Sequence, residues 1–345
     1  MPKLIQELPP GPLDIIGDVH GEHDALVLLL DRLGCDPCKC TAQRPLVFVG
    51  DLIDRGPDSP ATLDTVMRLV NAGVAQCVVG NHELNALLRQ EKEGNGWIYG
   101  NRGDSFQIDV NGTATEIPFN SAVVTEPEAD QLLEFMSTLP LVLTRPDLRI
   151  VHACWHQQSV DRLPANADVG ALASRFANEI LEQQRSSGLA ALEREEFTRF
   201  ANLKRLEVPP GVDCPNHAQA SEQRQSGNPV KVLTSGLEER VDFQNVFFTG
   251  GKWRFVRRSS WWEDYNQKPA IVVGHYWRKR AEDHSINDRW CTPRYTDWAG
   301  PLGNIFCVDF SVGRRYMQRY KAGHRDPSRA LGALRWPERT LIFDD

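Results

Sequence analysis

The chain has 345 residues, 41% hydrophobic and 25% charged, a balance that belongs to soluble globular proteins and excludes collagen-like, coiled-coil and wholly disordered architectures. Its 46 acidic residues outnumber the 39 basic ones for a net charge of -7, so no overall positive field draws phosphate backbones, and duplex nucleic acid is not an expected partner. The longest apolar run, Ala25 to Leu30, falls far short of the roughly 20 residues of a membrane span, and the start MPKLIQELPPG has no apolar signal region; a cytoplasmic location without membrane attachment is the expectation.

Along the chain, five short apolar runs stop abruptly at a glycine or at a residue able to hold metal. LDIIG precedes Asp18, PLVFVG precedes Asp51, AQCVVG precedes Asn81, LRIV precedes His152 and AIVVG precedes His275. Each is rich in Val and Ile and follows a helical or loop stretch, which predicts buried strands of a layered α/β sheet. Helical spacing from Asp24 to Leu33 and from Thr62 to Asn71 connects the first strands, and Glu126 to Leu139 precedes the fourth. One such run is only a core strand with a polar residue at its exit. Five of them, with Asp, Asp, Asn, His and His at the exits, point to a shared site, because ligands of open α/β sheets gather outside the carboxyl ends of the strands.

Two stretches read as covers and not as sheet: Leu88 to Asn120, polar and glycine-punctuated, and Pro209 to Pro229, hydrophilic with almost no aliphatic side chains. Between them Ala167 to Leu206 reads as helix, with Leu172, Phe176, Ile180 and Leu181 recurring at three- and four-residue steps in a core-packing stripe. No repeat or composition shift marks a boundary. The expected organisation is a single domain over 1–345 with a helical elaboration and insert at about 160–230. The eight cysteines, without a secretion signal, fit reduced thiols. Cys35, Cys38 and Cys40 could hold zinc with a fourth ligand from elsewhere, but the second C-x-x-C of such sites is missing, so a surface loop of thiols is the plainer reading.

The first exit is Gly17-Asp18-Val19-His20-Gly21, where a carboxylate and an imidazole two residues apart can turn to one divalent cation. The second is Gly50-Asp51-Leu52-Ile53-Asp54-Arg55-Gly56, which adds two acids and an arginine. The third, Gly80-Asn81-His82-Glu83, offers an amide oxygen as ligand and an imidazole free for proton work. Asp18 to Asp51 is 33 residues and Asp51 to Asn81 is 30, each enough for a helix and the next strand.

Taken together, the order G-D-x-H-G, G-D-x-x-D-R-G, G-N-H-E resembles the calcineurin-like metallophosphoesterase superfamily, and in particular its phosphoprotein-phosphatase branch. The resemblance runs from Leu13 to about Val312 and includes His152 and His275. It implies a layered β-sheet sandwich flanked by helices and two divalent metal ions, manganese first, with iron or zinc as alternatives. Asp18, His20 and Asp51 match the ligands of one ion, and Asp51, Asn81, His152 and His275 those of the other, with Asp51 bridging. In-line attack by a hydroxide bridging two such ions, with charge on the phosphoryl oxygens neutralised by them, is the chemistry this implies. Ala153 and Cys154 replace the branch's glycines after the first late histidine, and Trp277 stands where other metallophosphoesterases have a further histidine.

Arg55 has the guanidinium fork that suits two phosphoryl oxygens and is assigned as the phosphate clamp. His82 is the candidate proton donor to the leaving group, with Asp54 accepting from its other ring nitrogen. Glu83 is placed behind the ligands as an orienting group, and Ala86 excludes an H-E-x-x-H zinc site. His23, His156, His217, His284 and His324 fall outside the matched positions. The branch's second phosphate-facing arginine would be Arg254 or Arg258, and Trp261 and Trp262 are expected in buried packing ahead of base stacking.

The leading expectation is a metal-dependent phosphatase acting on phosphomonoesters, namely phosphoserine and phosphothreonine of proteins. The alternative is a dinucleoside polyphosphate hydrolase acting on substrates such as diadenosine tetraphosphate. Asp54 leans to the former, since a symmetrical diadenosine tetraphosphate hydrolase pattern has alanine there. A non-catalytic phosphate-binding protein is the distant third, and the intact ligand set counts against it. Net acidity and Trp277 count against a nuclease.

Overall fold

Leu13 and Ile15 turn to one face of their strand and Ile16 to the other, and all three are fully buried. A strand apolar on both faces has to lie between two layers. The computed structural model, which describes all residues except 102, 111–112, 200–213, 250–251, 281–289, 291, 293 and 321–325, shows which layers these are. One five-stranded sheet runs in the order Thr340–Phe343, Gly332–Trp336, Leu13–Ile16, Leu46–Phe48, Ala75–Cys77; the other runs Ile5–Glu7, Val142–Arg145, Leu148–Ile150, Ala270–Val273, Ile305–Cys307. Leu13, Ile15, Val47 and Val78 share one core with Leu148, Ile150, Val272 and Phe306, so the sheets face each other across it. Ile16, Phe48, Ile271 and Val273 belong to a second core that packs the helices. Each fully buried side chain of this size contributes about 1.5 to 3 kcal/mol.

The helices begin where their caps place them. α1 (His23–Arg32) buries Ala25, Leu26, Leu29 and Leu30 at helical spacing. α2 (Ser59–Asn71) starts at Asp58, whose carboxylate accepts from the Ala61 amide at 2.9 Å. α3 (Asn81–Leu87) follows Gly80, and α4 (Glu126–Thr138) opens on a Thr125–Glu128 capping box. Then come α5 (Gln157–Asp161), α6 (Val169–Ser186), α7 (Leu189–Arg199), α8 (Pro215–Ser226) and α9 (Pro229–Ser235). Among the described residues no helix is long and apolar enough to cross a membrane.

Three readings of the chain change. The single helix expected over 167–206 is two helices broken around Gly188, its last part lies outside the described residues, and Leu181 is 37% exposed instead of joining the stripe of Leu172, Phe176 and Ile180. The cover at 88–120 contains a hairpin, Ser105–Val110 with Thr113–Pro118, anchored by Phe106, Ile117 and Phe119 against Tyr316. The hydrophilic run at 209–229, in its described part, forms α8, whose buried residues are Ala218 and Ala220. Small side chains and polar bonds, including Gln184 Nε2 to the Ala220 carbonyl at 3.0 Å, hold it.

What matters for the site is the register. Leu13–Ile16, Leu46–Phe48 and Ala75–Cys77 are parallel, with Ile16 level with Phe48 and Phe48 with Cys77. In the facing sheet Ile150 is level with Val272 and Val273 with Cys307, again in parallel. Parallel strands in register end together, so the exits of each sheet open on one side.

Candidate metal centre at the strand ends

Beyond those ends stand Asp18, His20, Asp51, Asn81, His152 and His275. One carboxylate oxygen organises them: Asp51 Oδ2 is 3.4 Å from His152 Nε2, 3.8 Å from His20 Nε2 and 4.0 Å from His82 Nε2. Asn81 Oδ1 lies 2.7 Å from His275 Nδ1 and 3.3 Å from His152 Nε2. Asp18 joins through Oδ2, which accepts from the His275 amide at 3.0 Å and is 4.0 Å from His20 Nε2. Asp18, His20, Asp51 and His152 are each no more than 2% exposed.

The hydrogen bonds behind the ligands decide what this cluster can hold. His152 Nδ1 lies 2.7 Å from the Val49 carbonyl and His20 Nδ1 3.1 Å from that of Ile53. A carbonyl only accepts, so both rings carry a proton on Nδ1 and, when neutral, aim an Nε2 lone pair at carboxylate oxygens. At His152 lone pair faces lone pair, which requires a proton or a cation between them, whereas His20 Nε2 accepts from Arg55 in this arrangement. Asp18 Oδ1 is buried without a hydrogen-bond partner, which is the same deficit. Among the described residues, the groups of His, Cys, Asp and Glu whose ligand atoms all lie within 4.8 Å of one another are His20–Asp51–His82 and Asp51–His152–His275, sharing Asp51. Mixed carboxylate, imidazole and amide donors fit divalent ions of the manganese, iron and zinc kind.

Charge follows the same geometry. Burial disfavours a charged Asp51, yet His152, His82 and His20 around it hold its carboxyl well below the ordinary range. Burial likewise opposes a charged His152, but the Asp51 charge and hydrogen bond carry it up to about 10. Burial and the charges of Arg55 and His82 push His20 far down, toward the neutral ligand form. Asp18 is raised well above its usual value by burial and by the negative charges of Asp309 and Asp51. A buried site with this excess of carboxylate favours a bound cation.

His82, at the start of α3, is fixed at both ends. Its amide donates to Asp51 Oδ1 at 2.9 Å, and its Nδ1 is 2.5 Å from Asp54 Oδ2. Asp54 is fully buried, and its other oxygen accepts from Trp97 Nε1 at 2.7 Å. Glu83 lies behind the ligand loops: its carboxylate accepts from the amides of Asp51, Leu52 and Gly80, each at 2.8 Å, tying the second exit to the third. Burial and the Asp51 charge raise it to about 7. Arg55 donates to His20 Nε2 at 3.0 Å, and its guanidinium lies 4.5 Å from the Trp277 ring centroid. Arg314 lies over the same ring, also at 4.5 Å. The indole at the position of the missing histidine thus carries two arginines at the cluster's edge.

Backbone strain marks the same place. Among the described residues, eleven other than glycine have a left-handed backbone, and six of these are His20, Asp51, Asp54, Arg55, His275 and Trp277. Each costs on the order of 1 kcal/mol or more and persists only where the surroundings over-determine it. Gly274 serves the same convergence: a Cβ there would stand 1.9 Å from Asp18 Oδ1.

Four partners escaped the sequence reading. Trp97 and Arg314 gave no signal, since they reach the cluster only through the fold. Gly313 lies flat against His20, where a Cβ would meet the ring at 2.3 Å. Asp309 accepts from the amides of Trp277 at 2.7 Å and Ser311 at 2.8 Å, and burial raises it to about 6. Its signal was available: NIFCVDF is a sixth short apolar run ending at an acid, just past Ile305–Cys307.

The remaining candidates lie elsewhere. Arg258 is paired with Glu238, and Arg254 lines a cavity under α8 and α9, so neither reaches the Asp51 cluster. Trp261 and Trp262 are buried, the first donating to the Tyr276 hydroxyl at 2.9 Å. Cys35 is buried, Cys38 exposed and Cys40 half-buried, and they form no ligand group among the described residues. His23 bonds Thr65, His156 bonds Ser159 and His217 bonds Glu193, while His284 and His324 lie outside the described residues.

At the strand ends of a two-layered sheet core, paired His/Asp groups that could hold metal ions converge. Residues 11–169 match the calcineurin-like phosphoesterase family, and the chain carries a calcineurin-like metallophosphoesterase domain. Over 73 residues it is 45% identical to the asymmetrical bis(5′-nucleosyl)-tetraphosphatase of Halalkalibacterium halodurans, covering 20% of this chain and 30% of that one. Over 138 residues it is 32% identical to the symmetrical bis(5′-nucleosyl)-tetraphosphatase of Methylobacillus flagellatus, covering 40% and 41%. The matched segments therefore span less than half of either relative. Among solved structures, the cold-active protein-tyrosine phosphatase of a psychrophilic Shewanella aligns over 100% of this chain and 83% of its own, with a TM-score of 0.40 and 14% identity.

Proposed function

We propose that the protein is a metal-dependent phosphohydrolase whose substrates are dinucleoside polyphosphates, with Asp18, His20, Asp51, Asn81, His152 and His275 holding two divalent cations. The observation that carries the metal assignment is His152, with Nδ1 committed to the Val49 carbonyl and Nε2 turned to Asp51, beside the buried, unpartnered Asp18 Oδ1. Bound cations would supply Lewis acidity, lowering the pKa of water to near neutrality and neutralising charge on the phosphoryl oxygens. The chain's own residues do the rest. Arg55, held at the rim by Trp277, offers its fork to the phosphoryl group. His82 presents Nε2 to the cluster while Asp54 keeps the proton on Nδ1, so protonation of the departing oxygen falls to Nε2. Trp97 fixes Asp54 and thereby the ring.

The names of the two bis(5′-nucleosyl)-tetraphosphatases support the dinucleotide reading ahead of the phosphoprotein one. Asp54 supports a second reading, hydrolysis of phosphoserine or phosphothreonine, because it replaces the alanine of the symmetrical pattern. Purified protein loaded with manganese, then iron and zinc, separates them: kcat/KM for diadenosine tetraphosphate should exceed that for a phosphoserine peptide by about tenfold or more. The reverse ratio selects the second reading. Turnover of both substrates that survives EDTA overturns the metal assignment.

A further inference from the structure

A cavity of about 600 Å³ lies between α7, α8 and α9 and the strands Glu238–Arg240 and Val256–Arg258, outside the metal cluster. That volume suits a nucleotide-sized ligand. Five basic side chains line it against two acidic ones, and the acids are engaged. Glu196 accepts from the amides of Asn216 and His217, at 3.1 and 2.9 Å, and from the Asn216 side chain at 2.6 Å. Glu238 pairs with Arg258, and Arg224 is held bidentately by Glu193 at 2.8 and 2.7 Å. Lys231 and Arg254 are left without an ion-pair partner among the described residues, and Arg254 Nε is buried with no hydrogen bond. Burial and the charges of Arg224 and Lys92 lower Lys231 against the opposing charge of Glu238, which is itself paired with Arg258. Trp253 and Phe255, both buried, supply an aromatic wall beside these cations.

The cavity is tied to both sides of the metal centre. α9 carries Lys231, and its Leu233 carbonyl accepts from the amide of Ala153, next to His152, at 2.9 Å. Lys92 belongs to the loop whose Gly94 carbonyl accepts from the Arg55 amide at 3.2 Å. Resting on the phosphohydrolase reading, we propose that this cavity is the subsite for the far end of the substrate, a nucleoside phosphate whose anionic group is bound by Lys231 and Arg254 and whose ring packs on Trp253 and Phe255. Two guanidinium or ammonium groups without counter-ions match a phosphate, and the aromatic wall selects a nucleotide over a bare anion.

Calorimetric titration of the full chain in EDTA with ADP, pyrophosphate and adenosine tests the subsite without reference to turnover. ADP should bind about tenfold or more tighter than either fragment, and Lys231→Gln and Arg254→Gln should each weaken it about tenfold or more, with folding checked by circular dichroism. Arg257→Gln, an exposed residue paired with Glu239, should leave ADP affinity unchanged. The same two variants should lower the ratio of kcat/KM for diadenosine tetraphosphate to that for p-nitrophenyl phosphate. Dinucleotide hydrolysis with no ADP binding, or with binding indifferent to Lys231 and Arg254, overturns the subsite and leaves the phosphohydrolase reading standing. Equal binding of pyrophosphate and ADP also overturns it. ADP binding that depends on both residues in a protein without hydrolase activity upholds the nucleotide site while overturning the reaction.

Discussion

The strand-end cluster and the cavity under the helices are built on opposite plans. In the cluster each group is tied to the frame: His82 by its amide and by Asp54, His20 and His152 each by a backbone carbonyl, Asp51 by Glu83 behind it. Positive backbone angles at His20, Asp51 and His275 add strain that only a rigid frame sustains. The cavity is lined by long side chains, and Lys231 and Arg254 have no ion-pair partner among the described residues. Reaction geometry demands placement to a fraction of an ångström, whereas holding a substrate's far end demands charge and shape.

Substitutions that separate the two regions sharpen the contrast. The largest effect belongs to Asp51→Asn, which removes the oxygen that three imidazoles face: metal content by mass spectrometry should fall below two per chain and hydrolysis by about a thousandfold or more, with ADP affinity in EDTA retained. His82→Asn should lower kcat by about 10²- to 10⁴-fold with two metals still bound; unchanged turnover removes it from the proton path. Glu83→Ala strands three buried amides and should cost about 3 kcal/mol or more in denaturant unfolding of the metal-free protein, with metal affinity falling alongside. Trp277→Leu frees Arg55 and should raise KM by about threefold to thirtyfold, the worth of one cation–π contact, leaving kcat nearly constant.

A separate prediction concerns pH. In the metal-free protein His152 titrates at about 10 instead of 6.5, so the folded state binds its proton more tightly than the unfolded chain does. Its contribution to stability is complete below pH 6.5 and fades as pH rises toward 10. The Tm of protein in EDTA should decline across that window, and His152→Asn should flatten the decline; an equal slope in both proteins contradicts the assignment.

How far the sequence could be read follows from the same contrast. Asp18, Asp51, Asn81, His152 and His275 were visible because each ends a short apolar run, and parallel strands in register bring such ends together. Asp309 belonged to that pattern and was passed over. Trp97, Gly313 and Arg314 carry no local mark, since their partners His20, Asp54 and Trp277 are far away in the chain. The helical region was harder still. α8 buries alanines and is held by pairs such as Arg224–Glu193, so its sequence lacks the apolar stripe from which helices are read. The cavity's character comes from which cations stay unpaired after folding, and composition does not disclose that.

The central claim, that six side chains from two sheets enclose two cations, is tested most directly by anomalous diffraction from crystals grown with manganese. Two peaks flanking the Asp51 carboxylate, one beside Asp18 and His20 and the other beside Asn81, His152 and His275, are the predicted result. A cluster empty at saturating manganese, or a single ion beside Cys35, Cys38 and Cys40, would contradict it.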